Sequence, residues 1–366
     1  MTSIRSRSLP VALVTLALLT GSGTTTYAAE RPHTHEGYVA RTTDPAAPIP
    51  LPISGLLVGA PPAIPFAYAS EPEFGGGNWR LQRVDGTTMR LSRLTWSVWA
   101  PMGDGAIGMA GTEAGPELQR VTGAGRVHTR MVAHFGLAVS PDHEIVGWLG
   151  GRGAPHVVEG GGTRHFTLPR VAHGRRIAAI SGTRTCQEAA PEGGGCTVFV
   201  DGAHHPWVST SHGIVARIGP MLQVSDVNQH GRVLGLVSRR TDRSTCWGVF
   251  RAGGHRVSRT CHHYLDSFSP DGRRVLAERS QVTWGSVRRL AILDRAGDVV
   301  RSWTFDPGPH RSLSQLTWED DHHLLAVLHA HGRWGIVRVG TDGSVEYAGE
   351  PVEAVNEFAP YNLPLR

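Results

Sequence analysis

The chain of 366 residues is 40% hydrophobic and 18% charged, proportions that suit a globular protein with a substantial core. The net charge is +5, and all 36 basic residues are arginine. These arginines are scattered among 31 acidic residues, and this scatter argues against nucleic-acid binding. The 46 glycines and 24 prolines interrupt the sequence too often for long helices, so many short strands are expected.

The first 28 residues have the pattern of a secretory signal peptide. Two arginines precede an apolar run over residues 9–19, and Ala28 ends a suitable cleavage site. The apolar run is shorter than the roughly 20 residues that cross a bilayer, so no transmembrane segment is expected in the mature chain. Ser22 stands where a bacterial lipobox requires cysteine, which argues against a lipid anchor. We therefore expect a secreted, extracytoplasmic protein.

A hairpin made of a strand, a glycine-containing turn and a second strand recurs along the chain. Its seven copies span residues 79–91, 117–130, 156–168, 196–208, 246–260, 289–303 and 334–348. A related hairpin precedes all but the first copy, at residues 99–111, 139–150, 171–182, 227–238, 268–280 and 318–329. Its turns align at Pro101, Pro141, Ala172, Asn228, Pro270 and Glu319. Two hairpins per unit of about 40 residues predict an all-β fold, a β-propeller of seven four-stranded antiparallel blades, with six or eight blades as alternatives.

Two of the second set of hairpins carry a recognisable repeat. The stretches VSPDHEIVGWLG and FSPDGRRVLAERS, at residues 139–150 and 268–280, resemble the Ser-Pro-Asp-Gly repeat of the TolB-like or WD40-like propeller superfamily. At the level of repeat architecture, residues 50–350 resemble secreted actinobacterial WD40-like repeat proteins. The resemblance implies the propeller fold and, by analogy, protein contact.

The turns of this repeat have residues suited to a tight reversal. Pro270 presets its own φ, Asp271 can hydrogen-bond nearby backbone amides, and Gly272 tolerates a positive φ. Pro141 and Asp142 begin the related turn. We assign these five residues to blade geometry rather than to ligand binding.

The chain after the signal peptide divides into two segments. Residues 29–50 predict an extended, proline-containing leader, and residues 51–366 a single propeller domain. Propeller rings are often closed by a terminal segment, and Tyr38-Val39-Ala40 is a candidate for that strand.

Four cysteines in an exported chain predict two disulfides. Cys246 and Cys261 stand opposite each other in a hairpin that turns at Gly253-Gly254, and their bond is the strongest single prediction. Cys186 and Cys196 enclose a glycine-rich loop, and their bond would join the two ends of that loop.

The sequence contains no G-x-S-x-G elbow and no Walker, Rossmann or calcium-binding loop, so it predicts no catalytic residue and no cofactor. Adjacent histidines on a strand point to opposite faces, which argues against a metal site. The run Glu319-Asp320-Asp321 reads as a solvated turn. The residues that remain as ligand-binding candidates are Trp284, His329, His331, Asp242 and Glu113.

The leading hypothesis is a monomeric, non-catalytic binding module for an extracytoplasmic protein, peptide or glycan. Loops that vary between blades are the expected contact surface. The candidate loops are residues 71–78, 111–116, 150–155, 184–195, 239–245, 280–286 and 329–333. One alternative is a propeller enzyme, a lyase or glycan hydrolase, whose site is assembled across blades. Convergence of at least three of His329, His331, Glu113, Asp242 and Glu188 on the channel would favour it. Another alternative is a structural spacer.

Overall fold

The computed structural model describes residues 47–69, 78–91, 96–113, 115–159, 164–182, 186, 195–239, 245–251, 254–280 and 286–365. Signal peptide 1–28, most of the leader, Tyr38-Val39-Ala40, Glu188, Asp242 and Trp284 lie outside these residues. The described residues form strands and turns and contain no α-helix. None of their elements is a helix long and apolar enough to span a membrane.

The described strands, in chain order, have the following bounds. They are β1 Ile49–Pro50, β2 Val58–Gly59, β3 Phe66–Ala69, β4 Trp79–Gln82, β5 Thr88–Arg90, β6 Trp96–Met102, β7 Gly105–Thr112, β8 Gly115–Val121, β9 Val127–Val139, β10 Ile145–Gly150, β11 Pro155–Glu159, β12 Arg164–Thr167, β13 Arg176–Ser181, β14 Thr197–Asp201 and β15 Pro206–Thr210. They continue as β16 Val215–Arg217, β17 Gln223–Val227, β18 Val233–Arg239, β19 Thr245–Phe250, β20 Arg256–Thr260, β21 Tyr264–Phe268, β22 Arg274–Ser280, β23 Val287–Asp294, β24 Val299–Thr304, β25 Ser312–Trp318, β26 His323–Ala330, β27 Arg333–Gly340, β28 Val345–Ala348, β29 Val352–Glu353 and β30 Tyr361–Asn362.

Antiparallel pairing groups these strands into seven four-stranded blades arranged as a ring, a β-propeller. Blade 1 contains β30, β3, β4 and β5, and blades 4 to 7 contain β13–β16, β17–β20, β21–β24 and β25–β28. Blades 2 and 3 share the long strand β9, which pairs with β8 through its first half and with β10 through its second half. Blade 2 begins with β6 and β7, and blade 3 ends with β11 and β12. The predicted fold and blade number are confirmed.

The hydrophobic core lies between the blades. Each neighbouring pair of blades shares one cluster of buried side chains, and one of these clusters joins blade 7 to blade 1. The strand pattern explains this arrangement, because alternate residues of a strand point to the two faces of a blade and each face packs on a neighbour.

The C-terminal strand closes the ring. In blade 1, β30 pairs with β3, with Tyr361 opposite Tyr68 and Asn362 opposite Ala67. Leu365 then donates a backbone hydrogen bond to the carbonyl of Trp99 in blade 2. This closure explains why the first repeat lacks its inner hairpin, since the two strands of that hairpin come from opposite ends of the chain.

The chain before blade 1 runs along the outer edges of two other blades. Strand β1 pairs in parallel with β24 of blade 6, and β2 pairs in parallel with β28 of blade 7. Leu51, between them, is 6% exposed in the core shared by these blades. Ile49 and Pro50, the last residues of the predicted leader, therefore pair with the propeller.

In blade 4 the predicted strand register is wrong by one strand. The predicted hairpin 171–182 contains only β13, which is the innermost strand, and Ala172 lies in the connection from blade 3. Residues 182–196 join the first strand to the second, whereas in the other blades the candidate loops join the second strand to the third. The repeat pattern failed here because the first connection of blade 4 is long and carries a disulfide instead of a tight turn.

Both predicted disulfides are present. Cys246 of β19 bonds to Cys261, directly after β20, across the hairpin that sequence spacing indicated. Cys186 bonds to Cys196 in the first connection of blade 4. The backbone amide of Cys186 also donates to Oε2 of buried Glu159 at 2.6 Å, which attaches this connection to blade 3.

Candidate ligand-binding channel

The two ends of the ring carry different connections. One end, the first-turn end, carries the turns between the first and second strands of the blades, and the second-turn end carries the turns between the second and third strands. At the first-turn end, Ser269 Oγ donates to Asp271 Oδ1 at 2.7 Å, and Ser140 Oγ donates likewise to Asp142 Oδ1 at 2.6 Å. These side chains hold the Ser-Pro-Asp turns in shape.

Neighbouring turns at the first-turn end are tied together. Asn228 Nδ2 of blade 5 donates to the carbonyl of Gly272 in blade 6 at 3.2 Å. The amide of Asp271 donates to Asp321 Oδ1 of blade 7 at 2.7 Å. The structure thus places Asp271 and Gly272 in contacts between blades.

One small cavity lies at the first-turn end. A cavity of about 20 Å³ lies where blades 3, 5, 6 and 7 meet, and its lining includes Val139, Asp226, Ser269 and Trp318. Such a volume holds about one water molecule. The described residues therefore leave no room for a larger ligand in this cavity.

Carboxylates line the inner strands of blades 4, 5 and 6. Arg176 Nε donates to Asp201 Oδ2 at 2.8 Å, and Asp201 Oδ1 accepts from the amide of Val224 in blade 5 at 2.9 Å. Asp226 repeats this pattern one blade further, because its Oδ2 accepts from the amide of Phe268 in blade 6 at 2.7 Å. Asp201 and Asp226 therefore connect blades through side chain to backbone bonds.

Two further acids on blade 6 have a different environment. Asp266 Oδ2 accepts from the neighbouring Ser267 Oγ at 3.1 Å. Glu278 of β22 stands opposite Tyr264 of β21 in the strand register. Burial raises the pKa of Asp266 to about 6, and burial together with the negative charge of Asp266 raises the pKa of Glu278 to about 7.

The same environment acts on Asp226 and Tyr264. Burial raises the pKa of Asp226 to about 7, although two backbone amides oppose the shift. Burial, and then the charge of Asp266, raises the pKa of Tyr264 well above its usual range. Carboxyl groups that exchange protons near neutral pH can donate or accept hydrogen bonds and can attract a cation. Together, Asp201, Asp226, Asp266 and Glu278 are called the acidic wall below.

The predicted His329 lies at the second-turn end of blade 7. Its ring stacks on Trp334, with ring centroids 4.3 Å apart and planes 13° apart. Burial lowers the pKa of His329, and His310 lowers it further. His331 does not share a strand face with it, because β26 ends at Ala330 and His331 occupies an exposed turn with φ of 51°.

Glu113 is exposed in the turn between β7 and β8 of blade 2. Blade 1 separates it from the two histidines of blade 7. The described candidates thus lie on two blades that are not neighbours in the ring. Asp242 and Glu188 lie outside the described residues, so the convergence of at least three of these residues stays a prediction.

A cluster of three possible metal ligands, Glu319, Asp320 and His323, lies on blade 7 at the first-turn end, with ligand atoms within 4.8 Å of one another. Its groups already have partners. Glu319 accepts two hydrogen bonds from the guanidinium of Arg338 and one, at 2.6 Å, from the amide of Ala63. Asp320 Oδ1 accepts from the amides of His322 and His323. The expectation of a fully solvated turn is wrong for Glu319, which is 4% exposed because it anchors the segment before blade 1.

No family model matches this chain, and no curated protein matches it. Similar solved structures include TolB from Acinetobacter baumannii, 12% identical, covering 76% of this chain and 81% of that chain, with a TM-score of 0.40. BamB from Moraxella catarrhalis is 13% identical over 74% of this chain and 78% of that chain, with a TM-score of 0.42. Hsv2 from Kluyveromyces lactis is 10% identical over 76% of this chain and 93% of that chain, with a TM-score of 0.45.

The strand topology confirms the propeller fold that the sequence resemblance implied. At these identities the comparisons carry no information about the ligand. The acidic wall of this propeller was not predicted from sequence. Its members sit on four different strands, β14, β17, β21 and β22, and no linear motif connects them. The one available signal was the presence of aspartate in QVSDV and YLDSF, strands that are otherwise suited to a buried blade.

Proposed function

We propose that this propeller is a secreted, non-catalytic module that binds an extracytoplasmic protein, peptide or glycan at the second-turn end of its channel. The observation that carries the proposal is the gathering of six predicted variable loops at this end, while the cavity found at the opposite end, about 20 Å³, has room for about one water molecule. Six of the seven predicted loops join second to third strands and belong to that end, while 184–195 falls within the first connection of blade 4. Variable loops on a rigid scaffold are a common binding surface.

The two disulfides support secretion independently of the predicted signal peptide. Disulfides persist in oxidising compartments and are rare in the cytosol. Two disulfides and no free cysteine among the described residues fit an extracytoplasmic address. Cell fractionation and N-terminal sequencing test this, with a mature chain that starts after Ala28 in the extracytoplasmic fraction as the expected result. An uncleaved chain in the cytosol contradicts it.

Binding is tested with the mature protein as bait against supernatant and cell-wall fractions, including peptides and glycans released from the wall. Charge changes at the second-turn end, the reversals Glu113→Arg and Arg152→Glu and the added charge of His331→Glu, should reduce retention of the captured ligand at least about tenfold, because a charge placed against a matched surface is repelled. Reversals at the first-turn end, Glu144→Arg and Arg273→Glu, are the matched control and should leave retention unchanged. Equal effects at both ends, or no retained ligand, contradict the proposal.

A second candidate function, a glycan hydrolase or lyase, is favoured by the raised pKa values of Asp266 and Glu278, because perturbed carboxyl groups in a channel suit general acid and base roles. Its test is release of reducing ends or unsaturated products from a polysaccharide panel. Activity that falls by about a hundredfold or more in Glu278→Gln would establish this function in place of simple binding.

A further inference from the structure

Blade 3 carries a pair of histidines outside the channel. His156 lies on β11 and His165 on β12, the two outer strands of the blade. His156 stands opposite Thr167 and His165 opposite Val158, so the histidines are diagonal neighbours on one hairpin. His156 Nδ1 is 3.2 Å from His165 Nε2 and 3.1 Å from Thr167 Oγ1. His156 Nδ1 therefore lies within hydrogen-bond distance of two further atoms that carry lone pairs.

The indole ring of Trp148 holds the two imidazoles in place by stacking. Both rings stack on the indole of Trp148, at centroid distances of 5.5 Å for His156 and 5.4 Å for His165 and within 14° of its plane. Trp148 is itself 1% exposed, so its side chain is held by the core between blades 2 and 3. Gly150 leaves room for the site, because a Cβ at that position would lie 2.5 Å from His156 Nε2.

The spacing of the ring nitrogens suits chelation of one metal ion. Two imidazole nitrogens, each about 2.0–2.1 Å from a tetrahedral ion, stand roughly 3.3 Å apart, close to the 3.2 Å separation found between Nδ1 and Nε2. His165 and Thr167 are exposed and His156 is half-buried, so an ion can enter from solvent.

We propose that His156 and His165 bind one divalent transition-metal ion through Nδ1 and Nε2, with the Thr167 hydroxyl and solvent completing its coordination. Imidazole ligands select copper, nickel and zinc over magnesium and calcium, and copper binds most tightly of the three. Without metal the same nitrogens share one N–H···N hydrogen bond. On binding, that proton moves to the outer nitrogen of its own ring, and the exposed His165 ring turns so that both lone pairs meet at the ion.

The test uses the untagged full chain, freed of metal with a chelator and titrated with Cu²⁺, Ni²⁺ or Zn²⁺ by calorimetry. We expect one preferred site per chain, with Cu²⁺ tightest. Loss of one of two chelating ligands should weaken binding about 100-fold, so His165→Gln and His156→Gln should each have this effect. Pulsed electron paramagnetic resonance of the Cu²⁺ complex should detect two coordinated imidazoles in the native chain and one in each variant.

Controls separate this site from the other histidines, of which the chain has 18 more. His230→Gln replaces an exposed histidine on blade 5 and should leave the isotherm unchanged. Because His156 is half-buried, its variant is compared by thermal unfolding, whereas His165 is exposed and its variant should unfold like the native chain. An isotherm unchanged in His165→Gln, or absence of binding tighter than about 1 mM, overturns the proposal.

Discussion

At the scale of single residues, Gly272 shows how one turn position supports two blades. Its φ of +65° is in the left-handed region, and a Cβ there would lie 2.5 Å from Asn228 Nδ2, the group that donates to its own carbonyl. The residue therefore serves both the turn of blade 6 and the contact with blade 5.

Gly272→Ala should lower the free energy of unfolding by more than the roughly 1–2 kcal/mol that a left-handed conformation costs an L-residue, because it also displaces Asn228. Gly332→Ala is the matched control, since Gly332 has a φ of +69° with no atom within 4 Å of the added Cβ. Urea unfolding of both variants measures the difference. Equal losses in the two variants would show that the Asn228 contact does not contribute.

The acids of the channel predict how stability depends on pH. The folded chain holds protons on Asp226, Asp266 and Glu278 up to pKa values of about 7, about 6 and about 7, whereas their usual values are 3.8, 3.8 and 4.5. Where the folded state binds more protons than the unfolded state, stability falls as pH rises. This contribution is therefore fully present below about pH 4 and is lost as pH rises through about 6 to 7.

Replacing Asp266 or Glu278 by its neutral amide should remove the share of that loss that belongs to the replaced acid. Asp266→Asn and Glu278→Gln should each raise the melting temperature at pH values above about 7 relative to the native chain and flatten the profile between about pH 4 and about pH 7. Thermal unfolding followed by circular dichroism across this range measures the effect. A native melting temperature that rises steadily between about pH 5 and about pH 7 without flattening in either variant would contradict the assignment.

At the scale of elements, the hairpins were predictable and their assignment to blades was only partly so. Hairpin turns such as Pro270-Asp271-Gly272 are encoded locally, so sequence locates them. The register of blade 4 depends on whether β13 is the first or the second strand of the blade. Packing of β13 against β9 and β17 decides this, rather than the residues of β13 itself. The acidic wall was missed for the same reason, because β14, β17, β21 and β22 approach only in the folded ring.

The disulfide between β19 and the end of β20 should stabilise blade 5 mainly by restricting the unfolded chain. A loop of 15 residues corresponds to about 3 kcal/mol. Replacing Cys246 and Cys261 together by alanine should lower the free energy of unfolding by about that amount, and the loss for Cys186 and Cys196 should be slightly smaller because their separation is 10 residues.

Urea unfolding with and without a reducing agent measures these losses. Reduction should remove most of the difference between the native chain and a variant that lacks both bonds. A difference of about 3 kcal/mol that persists under reduction would mean that packing of the buried sulfur atoms, and not the cross-link, carries the effect.

At the scale of the whole molecule, residues 361–365 close the ring. Tyr361 and Leu363 are 9% and 7% exposed in the core between blades 7 and 1, and β30 is the innermost strand of blade 1. Sequence could not identify this strand, because YNLPLR has no turn partner nearby and pairs with residues almost 300 positions earlier.

Deleting residues 361–366 should lower the free energy of unfolding by roughly 4 kcal/mol or more, since two large buried side chains and a strand are lost. Adding a peptide with the sequence of residues 356–366 in trans should restore part of the melting temperature in a concentration-dependent way. A truncated chain with the native melting temperature, or one that a scrambled peptide restores equally well, would show that the ring does not depend on β30.

The parallel strands β1 and β2 have a consequence for association between molecules. An uncovered edge strand offers unpaired backbone groups to a neighbouring chain. On blades 6 and 7 these groups are covered by β1 and β2, and β1 ends at Pro50, which has no amide hydrogen to extend the sheet. Among the described strands, edge-to-edge growth should therefore begin at β5, the first half of β9, β12, β16 or β20, so the first place to insert a charged residue against aggregation is on blades 1 to 5.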